Sequence, residues 1–235
     1  NKMEQTFAKM LLLTSLYMHF FIEHNKGHHK NIATDEDPAS SRLNENLYAF
    51  WVRSTIGGYK SAWSLETAKL KKQGVSFFSF KNEMLVFQLV QVTYLVFVGL
   101  YFGWFVVPFA IIIAITGFLL LETVNYIEHY GLRRKKLASG RYENVTIQHS
   151  WNSNHEMGRI FLYELTRHSD HHFKSTRKFQ VLRHFDDSPQ LPYGYPGSML
   201  ISFLPPLWFK LMNDKVPVFS STLKIVIELC PRLEA

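Results

Sequence analysis

The sequence predicts an all-α protein, an integral-membrane helical bundle with a cytoplasmic cap that carries histidine clusters. Three observations lead there. From Met84 to Val124 the chain holds a single charged residue, Glu122; a helix crosses a bilayer core with roughly 20 apolar residues, so this block is long enough for two crossings. Arg167-His168-Ser169-Asp170-His171-His172 places histidines at i, i+3 and i+4, within about a 100° arc of a helix, so that the imidazoles converge on one side. Glu23-His24-Asn25-Lys26-Gly27-His28-His29 places three more at i, i+4 and i+5, directly after an apolar run.

Taken in order, Phe7 to Ile22 is apolar and is expected to be a membrane helix over about 7–23 that carries His24 out at its cytoplasmic end. His19, alone on this apolar run, is expected to be hydrogen-bonded to a neighbour. The stretch from Asn31 to Asn82 is polar, with Asp35-Glu36-Asp37-Pro38 as a turn and Gly57-Gly58 as a break between short amphipathic pieces. Trp51, Tyr59 and Trp63 suit helices at headgroup level. Membrane helices are then expected over about 84–100 and 105–128, with Gly99, Gly103 and Pro108 marking the turn. An even number of crossings returns the chain to the side it left. Arg133-Arg134-Lys135-Lys136 directly after the second crossing makes that side cytoplasmic. Segments 24–83 and 129–235 therefore lie on the cytoplasmic side of a single domain, 1–235, with His129 level with the two clusters. Pro189 to Gly197 is expected to be a rigid loop and not helix, and Ser198 to Met212, broken by Pro205-Pro206, an interfacial segment.

The formal net charge of +7 is read as cytoplasmic-face charge. The basic residues form no groove-binding motif, so nucleic acid is not an expected partner. Cys230 is the only cysteine, which excludes an internal disulfide and a thiolate-rich metal site. Any metal must rest on imidazole, which suits zinc, copper, iron and nickel alike. Seven well-placed histidines, His24, His28, His29, His129, His168, His171 and His172, exceed what one tetrahedral ion accepts and imply two ions. In an α-helix His24 and His28 share a stripe and His29 points about 100° further round, free to serve the second ion. Glu23, Asn125, Glu128, Asn154, His155 and Asp170 are the candidates for orienting these imidazoles from outside. No Glu-x-x-His motif lies near either cluster, which argues against the soluble helix-bundle di-iron class.

Five segments together carry a resemblance: Glu23 to His29, Asn125-Tyr126-Ile127-Glu128-His129-Tyr130-Gly131-Leu132, Ser150-Trp151-Asn152-Ser153-Asn154-His155, Arg167 to His172, and Leu191-Pro192-Tyr193-Gly194-Tyr195. They closely resemble the membrane-bound alkane 1-monooxygenases, a branch of the integral-membrane fatty acid desaturases and hydroxylases. The likeness runs from about Lys9 to Trp208, and Asn-Tyr-x-Glu-His-Tyr-Gly marks the alkane hydroxylase and xylene monooxygenase branch. It implies a non-haem di-iron centre that inserts one atom of O2 into a terminal C–H bond, with electrons from rubredoxin and an NAD(P)H-dependent reductase. By the family pattern His24, His28 and His29 form the second histidine box, His168, His171 and His172 the third, and His129 stands apart. The first box, of His-Glu-x-x-His type, is absent; His155-Glu156 begins like it but has no second histidine at the needed spacing. Since the chain starts at Asn1 and is apolar within ten residues, it is expected to be N-terminally truncated, and the fragment to be inactive without that box. With Cys230 alone there is no rubredoxin domain in the chain, and a basic face that includes Arg133, Arg134, Lys135, Lys136, Arg177 and Lys178 is expected to dock an acidic carrier. The rival activities are a fatty acid desaturase or xylene-type monooxygenase. Outside the enzymes, the rival is a membrane metal-binding or transport protein, although transport sites place ionisable residues near the bilayer midplane.

Overall fold

In the computed structural model the described residues are 2–217; Cys230 lies outside them. Every regular element among them is helical, and the only β pairing is two isolated bridges, Lys136 with Tyr142 and Asn152 with Gln190. The chain divides into two compact units, Asn1–Ser41 with Glu45–Tyr126, and Arg42–Asn44 with Ile127–Ala235.

The first unit contains α1 (Lys2–Thr14), α2 (Phe20–Glu23), a π-turn (His24–His28), α3 (His29–Asn31), α4 (Leu47–Lys72), α5 (Glu83–Phe102) and most of α6 (Val107–His129). The helix expected over 7–23 is interrupted. Leu16 takes φ 49°, and the amides of Leu16 and Tyr17 donate to the carbonyls of Leu13 and Leu12. This is a Schellman end with leucine where glycine is usual, so no glycine announced it. The break turns Tyr17, Met18 and His19 inward. Met18 and Ile22 then pack with Ala62 of α4 and Met84 and Phe87 of α5, each large buried side chain contributing roughly 1.5–3 kcal/mol.

The expected break at Gly57-Gly58 does not exist; α4 runs through it for 26 residues, opened by the Asn46 side chain accepting from the Ala49 amide. The glycines permit close approach instead. A Cβ on Gly57 would lie 2.9 Å from Pro38 Cβ. Asn82 opens α5 by accepting from the amides of Met84 and Leu85. Lys9, Lys69 and Glu66 join Glu83 in a network that ties α1, α4 and α5 together.

Of the three residues expected to mark the hairpin turn, Gly103 makes it, at φ 94°. Gly99 lies within α5, where the Trp104 ring covers the space a Cβ would need, and Pro108 sits in the first turn of α6, where its missing N–H costs nothing. Both α5 and α6 are long and apolar enough to cross a membrane. Their outer residues, among them Leu89, Phe97, Leu100, Phe109, Ile112 and Ile113, are exposed, an apolar surface of the kind that faces lipid or another protein segment. The lone charge of this block, Glu122, is buried and accepts hydrogen bonds from Tyr17, Ser54 and Asn125.

The second unit begins in the last turn of α6 and contains α7 (Glu156–Phe161), α8 (His168–Phe173), α9 (Gly194–Ser202) and α10 (Pro205–Met212). Long irregular segments between them are held by the side chains they bury. Trp151 donates from its backbone to the Glu128 carbonyl at 2.8 Å and from its indole to the Tyr130 carbonyl at 2.8 Å. Leu191 and Asn152 exchange backbone bonds with neighbouring strand-like residues, and Ser153 donates to Thr166. Contrary to expectation, Gly194 to Gly197 is helical. Gly194, at φ 63°, opens α9, and Pro196 falls in its first turn, the position a helix allows to proline. The break at Pro205-Pro206 is present, with α10 starting at Pro205.

Candidate metal centre

In the first unit the segment from His24 to His28 is a π-turn, with the His29 amide donating to the His24 carbonyl five residues back. A wider turn brings residues five apart towards one another. The expected division, with His24 and His28 on one stripe and His29 turned away, is therefore not found: His24 Nε2 and His29 Nε2 lie 3.0 Å apart. His28 is fully buried, and its Nδ1 is 2.8 Å from Asp37 Oδ2. Asp37 is itself fixed by the Ser40 hydroxyl at 2.5 Å and the Ala39 amide at 3.1 Å. Such a carboxylate sets the tautomer of the ring and leaves Nε2 for a metal. Glu23 is buried near Ser61, 3.4 Å from its hydroxyl. His19 is buried between the rings of Tyr17 and Tyr59, and its Nε2 makes no hydrogen bond, which corrects the expectation of a hydrogen-bonded core histidine.

In the second unit His129 at the end of α6 meets α8. His168 Nε2 lies 2.8 Å from His172 Nε2 and 3.3 Å from His129 Nε2, and all three rings are buried. His171, half-buried, stands with its ring centroid 5.1 Å from that of His172. Glu128 Oε2 is 3.2 Å from His168 Nε2. The Tyr195 hydroxyl donates to the Trp151 carbonyl at 3.4 Å; burial, and then the negative charge of Glu128, raise the phenol well above its ordinary value.

His129, His168 and His172 fit a metal, and His24 and His29 present a pair of nitrogens at a like spacing. Two nitrogens bound to one ion at about 2.1 Å lie roughly 3 Å apart, which is the spacing within each. One proton on His168 Nε2 cannot lie on the lines to both His129 and His172, whereas a cation can face all three lone pairs.

The other expected orienting residues divide. Asn125 donates to Glu122 at 3.3 Å. Asn154 is exposed and accepts from Arg167 at 3.1 Å. His155 is exposed, its ring against Gly194. Asp170 is buried but accepts from Arg177 at 2.5 Å and Arg183 at 3.0 Å. Burial pushes its carboxyl up, and these arginines outweigh that and hold it below the ordinary carboxylate value. It fixes α8 to the loop beyond it. His149 caps its own turn at Thr146, and burial lowers its imidazole against the opposing pull of Glu143, 3.4 Å away. The residue that sequence reasoning missed is Asp37. Three acids stand in a row there, Asp35, Glu36 and Asp37, and nothing in their spacing singles out the one that turns inward.

The fatty acid desaturase family model matches residues 2–199. The chain is 45% identical over 216 residues to the alkane 1-monooxygenase of Acinetobacter baylyi, covering 92% of this chain and 53% of that protein. It is 46% identical over 209 residues to alkane 1-monooxygenase 1 of Alcanivorax borkumensis, covering 89% and 52%. Similarity extends, at 30% identity over 196 residues (81% and 50%), to the xylene/toluene monooxygenase hydroxylase component XylM of Pseudomonas putida. The chain thus spans about half the length of the curated relatives it matches. With its two apolar helices and its facing histidine nitrogens inside the matched stretch, the chain belongs to the fatty acid desaturase family.

Proposed function

We propose that this chain is the histidine-bearing part of a non-haem di-iron monooxygenase that hydroxylates the terminal carbon of alkanes or related alkyl chains. The observation that carries this is the His129, His168 and His172 set, with ring nitrogens at 2.8 and 3.3 Å, in a chain 40–46% identical to several alkane 1-monooxygenases. His24, His28, His29 and His171 complete the ligands this chain supplies to two iron ions, which when bound would activate O2 for insertion into a C–H bond. Asp37 holds His28 with Nε2 presented, so the site need not reorganise when an ion arrives. Helices α5 and α6 cross the membrane and give an apolar substrate access from the bilayer. The basic run after α6 supports a cytoplasmic position for the histidines.

Electrons come from a rubredoxin-type carrier and its NAD(P)H-dependent reductase. Three of the cations on its expected docking face are committed elsewhere, Arg177 to Asp170, Arg134 to the Glu143 carbonyl and Arg133 to the Leu132 carbonyl. Lys135, Lys136 and Lys178 are exposed and remain to attract an acidic carrier.

The test is product analysis with n-octane and 18O2, in membranes holding the full chain, a rubredoxin and its reductase, beside iron content per polypeptide. The expected result is 1-octanol carrying one 18O and about two irons, both lost in His168→Ala. Octene would identify a desaturase. Zinc in place of iron, with no oxidised product, would favour the metal-binding alternative.

A further inference from the structure

The loop between α4 and α5 is held in one shape while its largest side chains face outward. Asn82, buried just before α5, donates from its side chain to the Phe77 carbonyl and from its backbone to the Ser79 carbonyl, each at 2.9 Å. The Lys81 amide donates to the Ser79 hydroxyl at 3.2 Å. Phe77 stacks on Trp63 of α4, with ring centroids 5.6 Å apart. Phe78 and Phe80 are nevertheless 87% and 90% exposed. Large apolar rings pinned outward on a hydrogen-bonded loop mark a surface that something apolar covers.

Two observations name the cover. Phe78, Ser79 and Phe80 form a groove of about 140 Å3 with Leu85, Val86 and Leu89 of the first turns of α5, so the groove continues the apolar face of that helix. The second is charge. From 67 to 82 the chain carries Lys69, Lys71, Lys72 and Lys81 and no acid. The acids on either side, Glu66 and Glu83, are already met by Lys69 and Lys9. Lys71, Lys72 and Lys81 are exposed, at the end of α4 and directly after Phe80. Apolar rings beside lysines at the start of a crossing suit an anionic lipid, its acyl chain on the rings and its phosphate near the ammonium groups.

We propose that the 77–80 loop and the start of α5 seat an anionic phospholipid, with one acyl chain in the groove and the phosphate among Lys71, Lys72 and Lys81. The inference rests on the reading above that α5 crosses the membrane. Such a lipid fixes the level of α5 at the headgroup boundary. A zwitterionic lipid offers the three lysines no net charge.

The experiment uses the full chain carrying Cys230→Ser, in vesicles of phosphatidylcholine with a minor share of phosphatidylglycerol. A bimane label is attached at Phe80→Cys or at Val92→Cys within α5, both exposed positions, and a doxyl quencher is carried on the acyl chain of one lipid or the other. The label at 92 is expected to be quenched alike by both lipids. The label at 80 is expected to be quenched more strongly by doxyl-phosphatidylglycerol than by doxyl-phosphatidylcholine at equal mole fraction, a preference that falls as salt is added. Lys71→Gln, Lys72→Gln and Lys81→Gln together are expected to abolish the preference, each lysine contributing up to about fivefold in relative association. Quenching at 92 and none at 80 overturns the seat, leaves crossing by α5 standing and points to protein over the loop. Quenching at 80 without a preference, or with one that the triple variant keeps, overturns the anionic lipid. No quenching at either position overturns both readings.

Discussion

The His28 ring has little freedom: its Nδ1 is held by Asp37, and Asp37 by Ser40 and Ala39, all of them buried. Asp37→Asn keeps the shape and loses the charge that fixes the tautomer. It is expected to lower metal affinity 10–100-fold and to destabilise the metal-free chain by about 1–3 kcal/mol, read by chelator competition and by thermal unfolding. Asp35→Asn and Glu36→Gln, at exposed positions two and one residues earlier, should change neither; an equal effect at all three would argue for bulk charge and against a specific bond. The two histidine clusters were legible because each gathers three imidazoles within about one and a half helical turns before any fold is known. Asp37 was not legible in this role, because which of three adjacent acids turns inward is decided by the turn they sit in and not by their spacing.

Among the elements, the sequence marked the apolar block of α5 and α6 to within two or three residues, since a run with one charge leaves few alternatives. It misjudged places where backbone geometry departs from its usual residue. Leu16 ends α1 in a conformation normally left to glycine, at a cost of roughly 1–2 kcal/mol, and the π-turn at His24–His28 has no compositional signature at all. Gly57-Gly58 was misread because glycine signals both a break and a close approach. The two glycines should now separate experimentally. Gly57→Ala drives a Cβ to 2.9 Å from Pro38 and is expected to destabilise by about 1–3 kcal/mol through overpacking. Gly58→Ala meets only Glu23 Cγ at 3.9 Å and is expected to be neutral or to stabilise by up to about 1 kcal/mol through helix propensity. Thermal unfolding of the pair decides it; equal losses would return these residues to a conformational role.

For the molecule as a whole, the all-helical class and the two apolar helices follow from composition and periodicity, whereas the irregular second unit does not. Its order comes from particular buried side chains, Trp151 above all, that no local pattern reveals. The apolar helices also differ in length, 20 residues in α5 and 23 in α6, roughly 30 and 35 Å at 1.5 Å per residue. The last turns of α6, from Glu122 onward, are buried inside the protein, so what it offers to lipid is the shorter stretch before them. Reconstitution in lipids of increasing acyl length is expected to give a thermal midpoint that peaks near a hydrocarbon thickness of about 30 Å and falls on either side. A midpoint indifferent to thickness would count against crossing. A midpoint that does move with thickness would carry a consequence for anyone handling this protein: its stability would be no fixed property of the chain, since the amphiphile around the exposed flanks of α5 and α6 would complete their surface. A change of detergent would then be, for these two helices, equivalent to a set of mutations.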